Sequence, residues 1–386
     1  MKNKISFAYG FLKITVWLAS RLFYRRFSVA GLENFPPKNQ ATILISNHQN
    51  GMMDPIMACI TAKRQLHFLT RADLFKGKLG NRIFRHMNML PVYRARDKVA
   101  DIAAMNGDTF NTSYDRILAG NVISIFPEGS HNNKKWIRPF RKGIARVAFG
   151  AMQKADYQKD IQIIPVGIDY TAYTKFRGSI LLNFGKPIST LKYADLHKKD
   201  PARALIPLVK ETTDALKALV IDVNDKENYE WLIQTEMLAL ETHTNGDLNN
   251  GEHLEQLGGF QDFLAHWDEY RVAKPEAASE TADKAKRYVS IRQKLKLSER
   301  AVWDTGQKCE TIVPIIGMAL IAPLILLGAI LNVIPAIFTR QFVSTQVKDT
   351  HFKSSITLAI GIVFFGTFWL TQALILTWLT SWPWSG

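Results

Sequence analysis

A histidine and an aspartate lie six positions apart in the stretch ISNHQNGMMDP, which follows an apolar run. Asn50 and Gly51 between them permit a sharp turn that brings a side chain back toward the preceding strand. In such a turn Asp54 can hold the imidazole of His48 in one tautomer and stabilise the imidazolium. The pattern therefore indicates a general base that takes a proton from a hydroxyl group. Taken alone, the spacing is weak, because nine histidines make a chance match easy.

A second polar segment, FPEGSHNNKKWIRPFRKG, runs from Phe126 to Gly143. Glu128 stands beside Gly129, whose backbone a ligand can approach closely. The cations that follow predict a phosphate site, with a solvated basic loop as the alternative; they are Lys134, Lys135, Arg138, Arg141 and Lys142.

A third segment, MLPVYRARD, carries Arg94 and Arg96 after another apparent turn. Two arginines in this position can grip a phosphate group, because each guanidinium matches phosphate geometry. The alternative is an ordinary surface ion pair with Asp97.

Apolar, β-branched runs precede these polar segments. We expect strands at Ala41–Ser46, Asn121–Phe126, Ile161–Ile168 and Ile180–Gly185, a weaker strand at Leu66–Thr70, and helices at Pro55–Thr61, Asp97–Leu118 and Lys142–Ala155. Strands that alternate with helices indicate an α/β fold with a largely parallel sheet. Ligands collect beyond the carboxyl ends of such strands, so His48 and Glu128 are expected in one crevice.

Two long uncharged runs near the carboxyl terminus, Ile312–Phe338 and Ser354–Trp384, predict membrane helices. Each exceeds the ~20 apolar residues that cross a bilayer as helix, and a buried core helix is the alternative. The amino-terminal stretch from Lys4 to Phe27 is aromatic but carries five cations. It predicts an interfacial amphipathic helix with cations turned toward lipid phosphates, or else a helix packed on the soluble core.

The chain carries 15 more positive than negative formal charges, a balance that suits anionic partners such as lipid headgroups, phosphorylated metabolites or an acidic carrier. Its basic residues are dispersed and form no recognised nucleic-acid module, so we expect no nucleic acid as a partner. Two distant cysteines, Cys59 and Cys309, make a disulfide framework or a zinc site unexpected.

The order of a histidine–aspartate box, an arginine block, an FPEG block and a "PV" strand at Pro165 resembles the phospholipid and glycerol acyltransferase family, from Lys38 to Ile188. The resemblance implies a mostly parallel mixed sheet flanked by helices. It also implies transfer of a fatty acyl group, from acyl-CoA or acyl-carrier protein, to glycerol-3-phosphate or 1-acylglycerol-3-phosphate in phospholipid synthesis, with no metal and no cofactor.

By the same resemblance His48 is the base and Asp54 its partner. The residues implied to bind the acceptor are Arg94, Glu128, Gly129 and Ser130. A backbone amide in the turn after the first strand, at Gly51, is the candidate to stabilise the oxyanion.

Two departures from the family pattern concern the acceptor. Five residues, QNGMM, separate His48 from Asp54 where the family has four, and Ser130–His131 replace the usual threonine–arginine. Arg138 or Arg141 would then supply the missing phosphate contact. Together with the stretch KFRGSILLNFG, these departures look like the fungal branch of glycerol-3-phosphate and dihydroxyacetone-phosphate acyltransferases. Alternatives are another lysolipid or an amino-acid lipid as acceptor, or a non-catalytic lysolipid-binding protein.

The sequence predicts that the chain is divided into four segments. They are an amphipathic membrane-associated helix (1–30), the acyltransferase domain (31–190), a charged helical extension (191–310) and two hydrophobic membrane helices (311–386). We expect a membrane location with the catalytic domain on the cytosolic face. A two-span hairpin would place the basic loop Thr339–Lys353 opposite that domain, so either the positive-inside rule is overridden or the helices dip in and return.

Overall fold

A mixed β-sheet lies at the centre of the molecule, in a computed structural model that describes residues 7–75, 77–94, 97, 99, 101–242, 250–297 and 312–380. Its strands are β1 (Arg26–Ala30), β2 (Thr42–Ser46), β3 (Leu66–Arg71), β4 (Met89–Val92), β5 (Val122–Ile125), β6 (Gln162–Tyr170), β7 (Ser179–Phe184) and β8 (Ile188–Ser189). They are ordered β1-β7-β6-β2-β5-β3-β4, with β8 paired to β6.

Helices cover both faces of this sheet and continue beyond it. They are α1 (Phe7–Phe23), α2 (Met53–Thr61), α3 (Lys78–His86), α4 (Ile102–Leu118), α5 (Gly143–Lys154), α6 (Ala194–Lys199), α7 (Pro201–Lys217), α8 (Tyr229–Thr242), α9 (Asn250–Ala273), α10 (Pro275–Leu295), α11 (Ile312–Gln346) and α12 (Thr350–Thr380).

The sheet is mostly parallel, which confirms the predicted fold class. β2 pairs in parallel with both β5 and β6, and β3 pairs in parallel with β4 and β5. Both antiparallel pairs among the described strands involve β6, which pairs with β7 and with β8. The five expected strands are present as β2, β3, β5, β6 and β7. Helix α4 begins at Ile102 rather than at Asp97, because the Asp101 carboxylate accepts a hydrogen bond from the amide of Ala104 and caps it there.

β2 shows why such a sheet needs helices on both faces. Ile43 and Ile45 are fully buried in the cluster that holds α5 and α7, and Leu44 is fully buried in the cluster that holds α2. A strand buried on both faces reads as a continuous apolar run in the sequence. β1 and β4 lack that signal and were not expected from the sequence: both lie at sheet edges, and β4 contains Pro91.

The amino-terminal segment contributes to the sheet as well as to the surface. β1, which falls within the stretch expected to be helical, pairs with β7. Two of the cations that were expected to face lipid make contacts within the protein instead. Lys13 donates to the carbonyl of Ala62 just beyond α2, and Arg21 lies over the rings of Trp17 and Phe27. Helix α1 also exposes an apolar stripe, made of Phe11, Leu12, Ile14, Leu18 and Leu22.

The helical extension forms a layer packed on the sheet. Ala30 of β1 and Leu181 of β7 share an apolar cluster with Trp231 of α8 and with Phe260 and Trp267 of α9. The extension is therefore continuous with the α/β core through its apolar contacts. Residues 298–311, which include Cys309, lie outside the described residues.

Helices α11 and α12 form a hairpin, and both are long and apolar enough to cross a membrane by length and composition. The indole of Trp369 donates to Asn332 at 2.7 Å, and Gln372 donates to the carbonyl of Leu331 at 2.8 Å. The basic loop expected from 339 to 353 is almost entirely helical, and only residues 347–349 connect the two helices. This turn lies at the catalytic domain rather than opposite it, as the contacts of α12 described below establish.

Candidate active site

The turn that follows β2 is tied to the neighbouring strand. The side-chain nitrogen of Asn47 donates to the backbone carbonyl of Ile168, and the backbone amide of Ile168 donates to the side-chain oxygen of Asn47, both at 2.8 Å. The Asn47 side chain thus pairs with β6 as the backbone of a neighbouring strand would. The chain leaves the sheet from a fixed point, and the next residue is His48.

The expected pair of His48 and Asp54 is present. Nδ1 of His48 lies 2.9 Å from Oδ2 of Asp54. A carboxylate only accepts hydrogen bonds, so the proton between the two groups sits on Nδ1, and in the neutral form of the ring Nε2 is the acceptor. The His48 side chain is 17% exposed and that of Asp54 is 1% exposed. The base can therefore meet a substrate, while its partner is shielded from water.

Asp54 also organises the turn itself. The same Oδ2 accepts the backbone amides of Gln49 and Asn50 at 2.8 Å, and Oδ1 accepts the hydroxyl of Tyr170 at 2.8 Å. Asp54 lies in the first turn of α2, where the helix dipole favours a negative charge. Burial raises the pKa of Tyr170, which keeps this hydroxyl a donor.

The family spacing of four residues is exceeded here by one without loss of the pair. Asn50 accepts the amide of Met53 at 2.7 Å through its carbonyl, which closes the turn before α2. Gly51 has a φ of +37°, within the left-handed region that favours glycine. A Cβ at Gly51 would lie 2.4 Å from the carbonyl oxygen of His351, so α12 covers this glycine.

Glu128 and His48 meet in one crevice, as their positions after β5 and β2 suggested. Oε1 of Glu128 accepts the backbone amide of His48, and Oε2 accepts Nε of Arg138, both at 2.9 Å. Burial raises the pKa of Glu128, while these hydrogen bonds act in the opposite direction. With its side chain 2% exposed, Glu128 contacts protein and holds two other groups in place.

Two residues that follow Glu128 shape a polar edge. Arg138 donates from Nη1 to the hydroxyl of Ser130 at 2.7 Å, and its buried Nη2 has no hydrogen-bond partner. Gly129 has a φ of +75°, and a Cβ there would lie 2.6 Å from Nε of Arg141. The exposed Arg141 side chain therefore lies directly against the glycine backbone.

Two of the five predicted phosphate-binding cations are engaged elsewhere. Lys135 is buried and contacts Asp169 at 3.0 Å and Glu236 at 2.6 Å. Lys134 pairs with Glu230 at 2.5 Å. Sequence reasoning missed this because the partners in α8 lie about a hundred positions later and carry no local signal.

Arg94 follows β4, and Arg96 lies outside the described residues. Nη2 of Arg94 is 3.5 Å from Asp97 and 3.6 Å from Asp73, so the surface pairing considered for it is present. Its Nε and Nη2 are buried without hydrogen-bond partners. β5 and β3 separate β4 from β2, which puts the ends of β2 and β4 about 14 Å apart along the same edge.

The histidine ring is held by aromatic contacts. It stacks on Phe126 with ring centroids 4.3 Å apart, and His131 approaches it edge-on at 5.5 Å. Within the part of the chain that the structure describes, no group of histidine, cysteine and acidic residues could hold a metal ion. The site thus offers one oriented base, a buried acid partner and arginines at its edge.

Residues 26–169 match the family model described as Acyltransferase. Over these residues the chain is similar to the acyltransferase family. The matched segment includes β1 to β5, most of β6, and both His48 and Asp54. The extension and the hairpin lie outside the matched residues.

Known proteins are similar to part of the chain. Glycerol-3-phosphate O-acyltransferase 2 of Saccharomyces cerevisiae is 30% identical over 31% of this chain, and the match covers only 16% of that relative. The 1-acyl-sn-glycerol-3-phosphate acyltransferase of Borreliella burgdorferi is 27% identical over 45% of this chain and 61% of its own length. A crystal structure of the 1-acyl-sn-glycerophosphate acyltransferase of Thermotoga maritima aligns with a TM-score of 0.39 and 19% identity, over 54% of this chain and 78% of that one.

Proposed function

We propose that the acyltransferase domain moves a fatty acyl group from a thioester to a glycerophosphate hydroxyl in phospholipid synthesis. The observation that carries the proposal is the 2.9 Å contact between His48 Nδ1 and the buried Asp54. The acceptor is glycerol-3-phosphate or 1-acylglycerol-3-phosphate, the acceptors named for the similar proteins of Saccharomyces cerevisiae and Borreliella burgdorferi. The donor is acyl-CoA or acyl-carrier protein.

In the proposed reaction Nε2 of His48 takes the proton of the acceptor hydroxyl as its oxygen attacks the thioester carbonyl. The carbonyl π electrons move to oxygen and give a tetrahedral oxyanion. When that intermediate collapses, the C–S bond breaks, the thiolate leaves with its electron pair, and the imidazolium returns the proton to sulfur. Asp54 stabilises the imidazolium between these steps. A thioester is already activated, so this route uses no serine or cysteine nucleophile.

The oxyanion would be stabilised by a backbone amide of the turn after β2. The backbone amides of Gln49 and Asn50 already donate to Asp54. The next backbone amide along the chain, that of Gly51, is therefore the candidate donor to the oxyanion. A fixed donor of this kind assists because it needs no reorientation as charge develops.

The acceptor phosphate would bind at the polar edge beside Gly129. Arg141 is exposed there, Arg138 keeps an unpartnered Nη2, and the Ser130 hydroxyl adjoins it. Glu128 would act by holding Arg138 and the backbone of His48. Arg94, farther along the same edge, would supply a second contact to phosphate through its guanidinium group, which lies beside Asp97 and Asp73.

The membrane would hold the protein through the exposed apolar stripe of α1 and through the hairpin of α11 and α12. The hairpin turn carries Lys348, with Arg340 and Lys353 in the adjoining helix ends, and it lies on the catalytic side. Positive charge favours the cytosolic side of a membrane, so we place the catalytic domain there.

The deciding experiment measures acyl transfer by the purified full-length protein. Radiolabelled acyl-CoA or acyl-carrier protein is offered with glycerol-3-phosphate, 1-acylglycerol-3-phosphate, other lysolipids and an amino-acid lipid. We expect transfer to a glycerophosphate acceptor, and a loss of roughly 10³-fold or more in His48→Ala with membrane association intact. His266→Ala, at an exposed position in α9, is the matched control. Full turnover by His48→Ala would exclude His48 as the base.

A further inference from the structure

The first turns of α12 belong to the core of the catalytic domain. Ser354, Ser355 and Leu358 are buried, and Leu358 shares an apolar cluster with Met53 and Met57 of α2. Farther along the same helix, large apolar side chains such as Leu370 and Leu376 are mostly exposed. One helix therefore joins the interior of the domain to a surface suited to lipid.

This end of α12 contacts the turn that carries the base. The hydroxyl of Ser354 donates to the side-chain oxygen of Asn50 at 3.0 Å. The side-chain nitrogen of Asn50 donates to the carbonyl of Tyr173 at 2.9 Å. The carbonyl of His351 lies against Gly51 so closely that a Cβ there would overlap it. Asn50 and Gly51 are thus held between the segment that follows β6 and α12.

The same end of α12 also contacts the loop after β5. Nδ1 of His351 lies 2.5 Å from Oδ1 of Asn133, and its ring is 4.3 Å from that of His131. The His131 ring in turn meets His48 at 5.5 Å. Burial, together with His48 and His351, lowers the pKa of His131 to about 4, so this ring is neutral near pH 7. A neutral His131 ring can pack beside the other two rings without adding a charge.

We propose that the carboxy-terminal hairpin is a positioning element of the active site as well as an anchor. His351 and Ser354 hold the His48 turn and the loop after β5 at a fixed separation, and this separation sets where the base meets the acceptor and the arginines. The inference rests on the proposed function, because it assigns the hairpin a part in the same reaction.

The length of α12 connects this role with the membrane. Residues 363–380, beyond the docked turns, are about 27 Å long as helix, close to the ~30 Å of a bilayer core. A hairpin inserted to that depth holds His351 about 18 Å from the edge of the hydrocarbon core. Insertion and assembly of the catalytic turn would then be coupled, and a protein whose hairpin is undocked would bind substrate but transfer slowly.

The test compares His351→Ala and Ser354→Ala with Ser355→Ala, all in the full-length chain in lipid nanodiscs. Ser355 is the matched control, because its hydroxyl donates to Phe352 within its own helix. We expect kcat to fall about tenfold or more in the first two variants, as for loss of a hydrogen bond that positions a catalytic group. The acceptor KM should change less than kcat. His351→Gln, which can still bond Asn133, should recover part of the loss.

Hydrogen–deuterium exchange provides a readout that does not depend on activity. Exchange in residues 47–54 should rise about tenfold in the His351 and Ser354 alanine variants, and stay at the wild-type level in Ser355→Ala. Unchanged exchange and unchanged kcat in both variants would overturn the positioning role. If the wild-type protein acylates no acceptor while exchange rises as expected, the proposed function fails and the docking contact stands.

Discussion

Asp54 binds the base His48 and, at the same time, the two amides that shape the turn between them. Its Oδ2 accepts Nδ1 of His48 at 2.9 Å and the amides of Gln49 and Asn50 at 2.8 Å. The carboxylate therefore closes the longer turn that this chain uses. One buried side chain fixes both the tautomer of the base and the path of the backbone that carries it.

The Asp54→Asn variant should separate the shape of the turn from the charge of the carboxylate. Its amide oxygen, placed where Oδ2 lies, can still accept the two backbone amides, but it carries no negative charge to stabilise the protonated His48 ring. We expect kcat to fall by roughly 10³- to 10⁴-fold, as when an orienting aspartate is lost in other histidine-based sites. Turnover by the purified variant, with its melting temperature as a check on folding, measures this. A kcat within tenfold of wild type would contradict a role for the charge of Asp54.

Gly129 is required by its backbone conformation and by Arg141. An alanine there would sit at φ +75° and meet Nε of Arg141 at 2.6 Å. We expect Gly129→Ala to lose about 1–2 kcal/mol of unfolding free energy and to raise the acceptor KM. Gly143→Ala, at the start of α5 with nothing within 4 Å of its added Cβ, is the control and should be neutral or slightly stabilising. Equal behaviour of the two variants would remove Gly129 from the acceptor site.

Arg141 and Arg94 should be distinguishable by their effects on substrate binding. If Arg141 holds the acceptor phosphate, Arg141→Ala raises the acceptor KM by about tenfold or more, from loss of a charge-assisted hydrogen bond. Arg94→Ala should raise the same KM if it supplies the second contact. Steady-state kinetics with each substrate varied in turn measures both, and exposed Lys142→Ala is the control. A rise confined to the donor KM would assign that arginine to acyl-CoA instead.

The sequence was sufficient for the features that depend on local patterns. The buried strands β2, β5 and β6 are visible as apolar β-branched runs, and polar residues just beyond β2 and β5 could be placed in one crevice by topology alone. The contacts of His351 with this crevice could not be foreseen. They join positions more than 200 residues apart, and nothing in a membrane-helix pattern indicates which end docks on the catalytic domain.

Contacts between distant positions also decide the roles of the cations in the loop after β5. Lys134 and Lys135 are adjacent and identical in type, yet one is partly exposed and the other is buried with Asp169 and Glu236. Burial depends on the extension that packs over the loop, so composition cannot separate them.

Lys135→Met should therefore be far more damaging than Lys134→Met. Removing the buried ammonium leaves Asp169 and Glu236 without their counter-charge, which typically costs about 3–5 kcal/mol. Lys134 pairs with a largely exposed Glu230, and such pairs contribute about 0–1 kcal/mol. Chemical denaturation of both variants in detergent micelles compares the two. Similar losses would show that the buried network does not join the extension to the domain.

Glu236 should make the stability of the protein fall as pH rises. Burial, with Asp169 nearby, raises the pKa of Glu236 from 4.5 to about 7, although Lys135 opposes this shift. Between these two pH values the folded state retains a proton that the unfolded state has released. The stabilisation is thus complete below pH 4.5 and is lost as pH rises to about 7, with a slope of up to about 1.4 kcal/mol per pH unit.

The difference in unfolding free energy between wild type and Glu236→Gln isolates this effect, because other carboxylates contribute equally to both proteins. We expect the wild type to lose stability relative to Glu236→Gln between pH 4.5 and 7, and the difference to level off above pH 7. Glu230→Gln, at an exposed position of the same helix, should show no such trend. A difference that is flat, or that rises with pH, would mean that Glu236 is ionised throughout and that Lys135 outweighs the cost of burial.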